Sequence, residues 1–152
     1  MMTEAKTFLL VEDDPRDIEL VENEFKEAPL NIQLQVVRDG VEAMRYIVGH
    51  GPYADWEKNP LPAVIILDLN LPLLDGLRFL EWLRTEAPAP QRHIPVIVMS
   101  GSVQPDDVSR AYALGANSYL VKLVNWDEFR KRIKAFGIFW STYAAMPRAF
   151  SF

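Results

Sequence analysis

Two rhythms alternate along the chain. Nearly unbroken apolar runs occupy residues 7–11, 63–67 and 95–99, and shorter ones occupy 32–37 and 118–121. Continuous runs of Val, Ile and Leu read as strands covered on both faces, the habit of parallel sheets. Between them apolar residues recur at helical spacing. Ile18, Val21, Phe25 and Ala28 follow Pro15 and stop at Pro29, with Asp14 as the expected N-cap. Ala43, Met44 and Ile47 give an inward face to a helix over 41–48, and Leu77, Leu80 and Leu83 give one to the next. A helix over 105–114 ends at Gly115, and Asn125 caps a last, long helix. Residues 49–62, with glycine and three prolines, read as a long loop. It is either a partner-contact loop or, the favoured reading, a tolerated surface insertion.

Strand and helix thus alternate five times, with connections too short for a second domain. That pattern implies an α/β fold with a parallel sheet and helices on both faces. Right-handed crossovers leave few topologies, and the commonest is a flavodoxin-like, doubly wound five-stranded sheet of order 2-1-3-4-5. The expectation is a single domain over 1–152 with five helices, the last one extended.

Composition narrows the function. The chain has 152 residues, 49% of them apolar, which suits one domain with a real core. No cysteine means no disulfide framework, thiolate metal site or cysteine nucleophile. A net charge of −5 argues against a nucleic-acid surface. No apolar run approaches the ~20 residues of a membrane span. The start lacks a secretory signal pattern, so a cytoplasmic location and no membrane partner are expected.

The chemistry gathers where strands end. Residues 7–11 run into Glu12-Asp13, 63–67 into Asp68, 95–99 into Ser100, and 118–121 into Lys122. In a parallel sheet these ends share one edge, and strands lie roughly 4.8 Å apart. Any one of these residues alone is an ordinary cap, turn or surface residue. Together they form a constellation. Three converging carboxylates repel unless a cation neutralises them, and an all-oxygen set suits Mg²⁺ with a phosphate. Lys122 offers a fixed positive charge and Ser100 a hydroxyl. A carboxylate between them can attack phosphorus and become an aspartyl phosphate.

With those motifs in view, the chain resembles a response-regulator receiver domain of two-component signalling over nearly its whole length. Residues 9–14 (LLVEDD), 67–72 (LDLNLP), 99–101 (MSG) and 119–122 (YLVK) carry the resemblance. It implies that Asp68 is the phosphoacceptor and Asp13 a direct Mg²⁺ ligand, with Glu12 acting through a water and the Asn70 backbone carbonyl as a further ligand. Ser100 is then the hydroxyl that follows the phosphoryl group, Tyr119 the aromatic switch and Lys122 the charge partner. Lys122-Leu123 departs from the family's usual Lys-Pro and its cis bond, because a cis bond before Leu costs about 2.5–4 kcal/mol. This departure, the long loop and the aromatic C-terminus resemble the stand-alone receivers that partner phytochrome histidine kinases. Output is then protein–protein contact or relay, with no enzymatic activity beyond self-phosphorylation and autodephosphorylation.

Two alternatives use the same residues: a degenerate receiver serving as a scaffold, and a haloacid-dehalogenase-like phosphatase. The phosphatase needs a second Asp two residues after the nucleophile, and Asn70 stands there. At the C-terminal end, Trp126, Phe129, Ile133, Phe136, Trp140 and Tyr143 form a heptad-like seam. With Phe139, the late rings look like surplus apolar surface. A homodimer through residues 136–152 is the expectation.

Overall fold

The computed structural model describes residues 5–27, 30–122 and 125–146. The expected inward Ala28, the stop at Pro29, the Lys122–Leu123 link and residues 147–152 lie outside the described residues.

Five strands, β1 (Lys6–Val11), β2 (Ile32–Val37), β3 (Val64–Leu67), β4 (Val96–Ser100) and β5 (Ser118–Val121), form one parallel sheet of order β2-β1-β3-β4-β5. The helices between and after them are α1 (Pro15–Glu27), α2 (Gly40–Val48), α3 (Gly76–Thr85), α4 (Pro105–Ala113) and α5 (Trp126–Ile138). β3 is wholly buried and β1 is buried from Thr7 onward, as their apolar runs require. One core lies between the sheet and α2, α3 and α4, around Leu9, Ile65, Phe79 and Val98. The other lies between the sheet and α1 and α5, around Phe8, Ile66, Val21 and Phe129. Each such side chain contributes roughly 1.5–3 kcal/mol by leaving water. No helix among the described residues is long and apolar enough to cross a membrane.

The helix starts follow from their caps. Asp14 accepts from the Arg16 N–H at 2.9 Å, and that bond holds its carboxyl below the usual range. Asp39, Asp75 and Asn125 accept from Glu42, Arg78 and Glu128 N–H in the same way. Gly115 adopts a φ of +109°, the conformation expected of a helix stop.

Two expectations hold in outline and differ in detail. On α2, Ala43 and Ile47 are buried and half-buried Met44 packs against the same core, as expected, but Gly40 and Tyr46 are buried with them. Tyr46 turns inward because residues 49–62 fold over it. Its hydroxyl donates to the Pro60 carbonyl at 2.8 Å, and its ring lies 5.2 Å from that of Tyr53. The loop is therefore pinned to α2. The last helix is extended as expected, and it spans the whole aromatic seam from Trp126 to Tyr143. Its hydrogen bonding changes at Ile138, where α5 continues without a break into one wide π turn, Phe139–Tyr143. Phe136 and Trp140 are half-buried against their own core, with Phe136 edge-on to Phe25 at 5.9 Å. Phe25 and the core around it thus offer these rings a place in their own chain. Phe139 and Tyr143 remain exposed, at 51% and 73%.

Candidate functional site

The sheet brings the predicted residues to one edge. β1 pairs with β3 so that Val11 lies opposite Leu67, which sets Glu12 and Asp68 side by side. The Asp68 N–H donates to the Val11 carbonyl at 3.0 Å and fixes that register past the strand end. On the other side Ser100 lies opposite Val121, and the Lys122 N–H donates to the Ser100 carbonyl at 2.8 Å.

Carboxylate oxygens of Glu12, Asp13 and Asp68 all lie within 4.8 Å of one another. Glu12 and Asp68 are buried, while Asp13 faces solvent. Lys122 reaches across to them. Its Nζ stands 2.9 Å from Glu12 Oε2 and 3.5 Å from Asp68 Oδ2. The electrostatics follow from burial. Burial, and then the Asp68 charge, push Glu12 up to about 8 against the pull of Lys122. Burial likewise raises Asp68, although Lys122, Glu12 and the Asn70 N–H offset part of this. Burial alone would lower Lys122; hydrogen bonds to Asp17 and Glu12 and the charge of Asp68 outweigh it, so Lys122 titrates above its usual range.

Three all-oxygen donors around one point, short of positive charge, fit a hard divalent cation and leave room for water and a phosphoryl oxygen. Asp68 then has a route to phosphorus, with Lys122 beside it. Ser100 is buried, and its Oγ accepts from the Ser102 N–H at 3.2 Å. The Tyr119 hydroxyl donates to the Ser102 carbonyl at 3.0 Å, so Tyr119 is tied to the loop that leaves Ser100. A cleft of about 230 Å³ opens beside Asn70 and Ser100, rimmed by Arg78, Asp107 and Arg110. Gly76 closes the loop after Asp68: a Cβ there would collide with the Asp68 carbonyl oxygen.

Sequence reasoning missed Asp17. It is buried on the first turn of α1, and its Oδ2 lies 2.8 Å from Lys122 Nζ. Its place beside the inward Ile18, four residues after Asp13, was the available signal.

The sequence pattern of the response regulator receiver domain matches residues 8–134. The chain belongs to that family. Response regulator Rcp1 of Synechocystis sp. (strain ATCC 27184 / PCC 6803 / Kazusa) is 35% identical over 144 residues, 95% of either chain. The Mn²⁺-bound crystal structure of Rcp1 superposes with a TM-score of 0.85, covering 93% of this chain and 99% of that one. The phosphorylated cyanobacterial phytochrome response regulator RcpA gives 0.86 at 34% identity, covering 94% and 99%. The bacteriophytochrome response regulator RtBRR gives 0.72 at 38% identity, covering 97% and 87%. The receiver fold and sheet order expected from sequence are those observed.

Proposed function

We propose that this receiver accepts a phosphoryl group on Asp68 from a sensor histidine kinase of the phytochrome type. The observation that carries the reading is the approach of Lys122 Nζ, from the last strand, to Glu12 and Asp68 at the end of the first and third. Similarity to a phytochrome response regulator crystallised in its phosphorylated form, and to a bacteriophytochrome one, supports the choice of donor.

An Asp68 oxygen attacks phosphorus as the N–P bond of a phosphohistidine breaks. The bonding pair leaves with the imidazole nitrogen, which takes up a proton. Mg²⁺ bound at Asp13, Asp68 and the Asn70 carbonyl, with Glu12 through a water, would supply charge neutralisation at the transferring oxygens. Similarity to the Mn²⁺-bound Rcp1 structure supports such a site. Lys122 stabilises the negative charge that builds on the phosphoryl oxygens. Ser100 Oγ turns to the bound phosphoryl group, the loop at Ser102 shifts with it, and Tyr119 changes its packing. Phosphorylation is then a population shift between two packings, limited by the contacts each makes. The protein catalyses only its own phosphorylation and hydrolysis. It acts in the cytoplasm, where its kinase draws on ATP.

Residues 1–152 form one receiver unit in this reading, with 136–152 as a dimerisation segment. Exposed Phe139 and Tyr143 support the dimer, whereas Phe136 and Trp140 serve the chain's own core. The test of the donor is phosphotransfer from an autophosphorylated phytochrome kinase, run beside an unrelated histidine kinase. Faster transfer from the phytochrome kinase is expected. Equal or slower transfer would remove it as donor.

A further inference from the structure

Three carboxylates hold the Lys122 ammonium, and only two of them belong to the acidic cluster at the site. The third is Asp17, whose Oδ2 makes the shortest contact of the three, 2.8 Å, against 2.9 Å to Glu12 and 3.5 Å to Asp68. Asp17 stands on α1, is 8% exposed, and is no member of the cluster that Glu12, Asp13 and Asp68 form. An ammonium carries three donors on a flexible four-carbon stem, so its direction is set by what receives those donors.

We propose that Asp17 is a positioning residue for phosphoryl transfer, the fixed anchor that aims Lys122 at the phosphoryl oxygens. This rests on the receiver reading of Asp68. Consider what each partner of Lys122 does during the reaction. Asp68 becomes an acyl phosphate, so one of its oxygens is bonded to phosphorus. Glu12 faces the position of the cation and shares its charge. Asp17 alone keeps the same charge and the same place throughout. It stops the ammonium swinging away when its other contacts weaken. A carboxylate at this point also costs something, since it adds negative charge near an incoming phosphate. Its presence is favourable only if orientation outweighs that repulsion.

The experiment compares Asp17→Asn with wild type in three measurements. Phosphorylation by acetyl phosphate with Mg²⁺ should slow about tenfold at saturating donor, as expected for a misaimed catalytic group, with half-saturation little changed. Mg²⁺ affinity, measured by calorimetry without donor, should stay close to wild type. The ¹H–¹⁵N signal of the Lys122 ammonium should be sharp in wild type and broaden in the variant. Asp17→Glu should recover part of the rate. A rate in Asp17→Asn equal to or above wild type would overturn the proposal. So would a loss of Mg²⁺ affinity as large as that of Asp13→Ala, which would make Asp17 one of the metal-binding acids. Should Asp17→Asn fail to fold, the wild-type protein still decides: a scalar coupling between Lys122 Nζ and the Asp17 carboxyl carbon is expected, and its absence overturns the anchor. Failure of wild type to take any phosphoryl group would instead refute the receiver reading, and the ammonium signal would remain readable.

Discussion

Replacing Asp68 by Asn should stabilise the metal-free protein, and the gain should depend on pH. With Glu12, Asp13 and Asp68 oxygens no more than 4.8 Å apart, each carboxylate pair repels by about 3.5 kcal/mol at an effective dielectric of about 20. Lys122, 3.5 Å from Asp68, returns about 4.7 kcal/mol on the same scale. Two repulsions exceed one attraction by about 2 kcal/mol, and the exposure of Asp13 trims its share. Asp68→Asn should therefore gain about 1–2 kcal/mol when Glu12 is ionised. Glu12, however, titrates at about 8 in the folded chain against an ordinary 4.5. Between those values the folded state holds a proton that the unfolded state has released. Wild-type stability contributed by Glu12 is thus greatest below the ordinary value and falls as pH rises towards about 8, at up to 1.4 kcal/mol per unit. At about pH 6 Glu12 is protonated and one repulsion is gone; the remaining one, about 3.5 kcal/mol, is smaller than the attraction to Lys122, so Asp68→Asn should turn from a gain into a loss of about 1 kcal/mol. Urea denaturation of both proteins at about pH 6 and about pH 8.5, with and without Mg²⁺, reads all of this. Saturating Mg²⁺ should stabilise wild type more than the variant at the higher pH. A variant less stable than wild type without metal at about pH 8.5, or a gain that ignores pH, would refute the reasoning.

Other perturbations separate the parts of the site. Asp13→Ala should weaken Mg²⁺ binding and slow phosphorylation together; unchanged affinity by calorimetry would remove Asp13 from the metal site. Ser100→Ala should accept a phosphoryl group but engage its partner poorly, and a partner response equal to wild type would break the link to Tyr119. Phe139→Glu with Tyr143→Glu should give a folded monomer in sedimentation across a concentration series. A wild type that stays monomeric at high concentration would dismiss the dimer. Phe136→Ala should cost about 1–3 kcal/mol of stability whatever the oligomeric state, since the half-buried ring is edge-on to Phe25. Gly76→Ala should be destabilising by about 2 kcal/mol or more, because its Cβ would meet the Asp68 backbone.

The sheet was readable because parallel strands are buried on both faces and declare themselves as apolar runs. Residues 63–67 and 95–99 need no partner to be recognised. The principal acids were readable because strand ends share an edge. Asp17 was not, because its role depends on a lysine 105 positions away that happens to reach back over the sheet edge. The burial of Tyr46 leaves no sequence signal for a related reason. Its inward turn is decided by the fold of residues 49–62, and a loop leaves no periodic trace. The aromatic seam located the long last helix but misassigned the partner of Phe136 and Trp140, which pack on their own core. Spacing reports which residues could share a face, and cannot tell an intermolecular partner from Phe25 and the core of the same chain.

The central claim is that Asp68 carries the phosphoryl group. Intact-protein mass spectrometry with peptide mapping, after incubation with Mg²⁺ and acetyl phosphate, tests it most directly. One base-labile phosphoryl group per wild-type chain, mapped to the peptide containing Asp68 and missing from Asp68→Asn, is the predicted result. A wild type that stays unmodified, or an Asp68→Asn protein labelled to the same extent, would contradict the account.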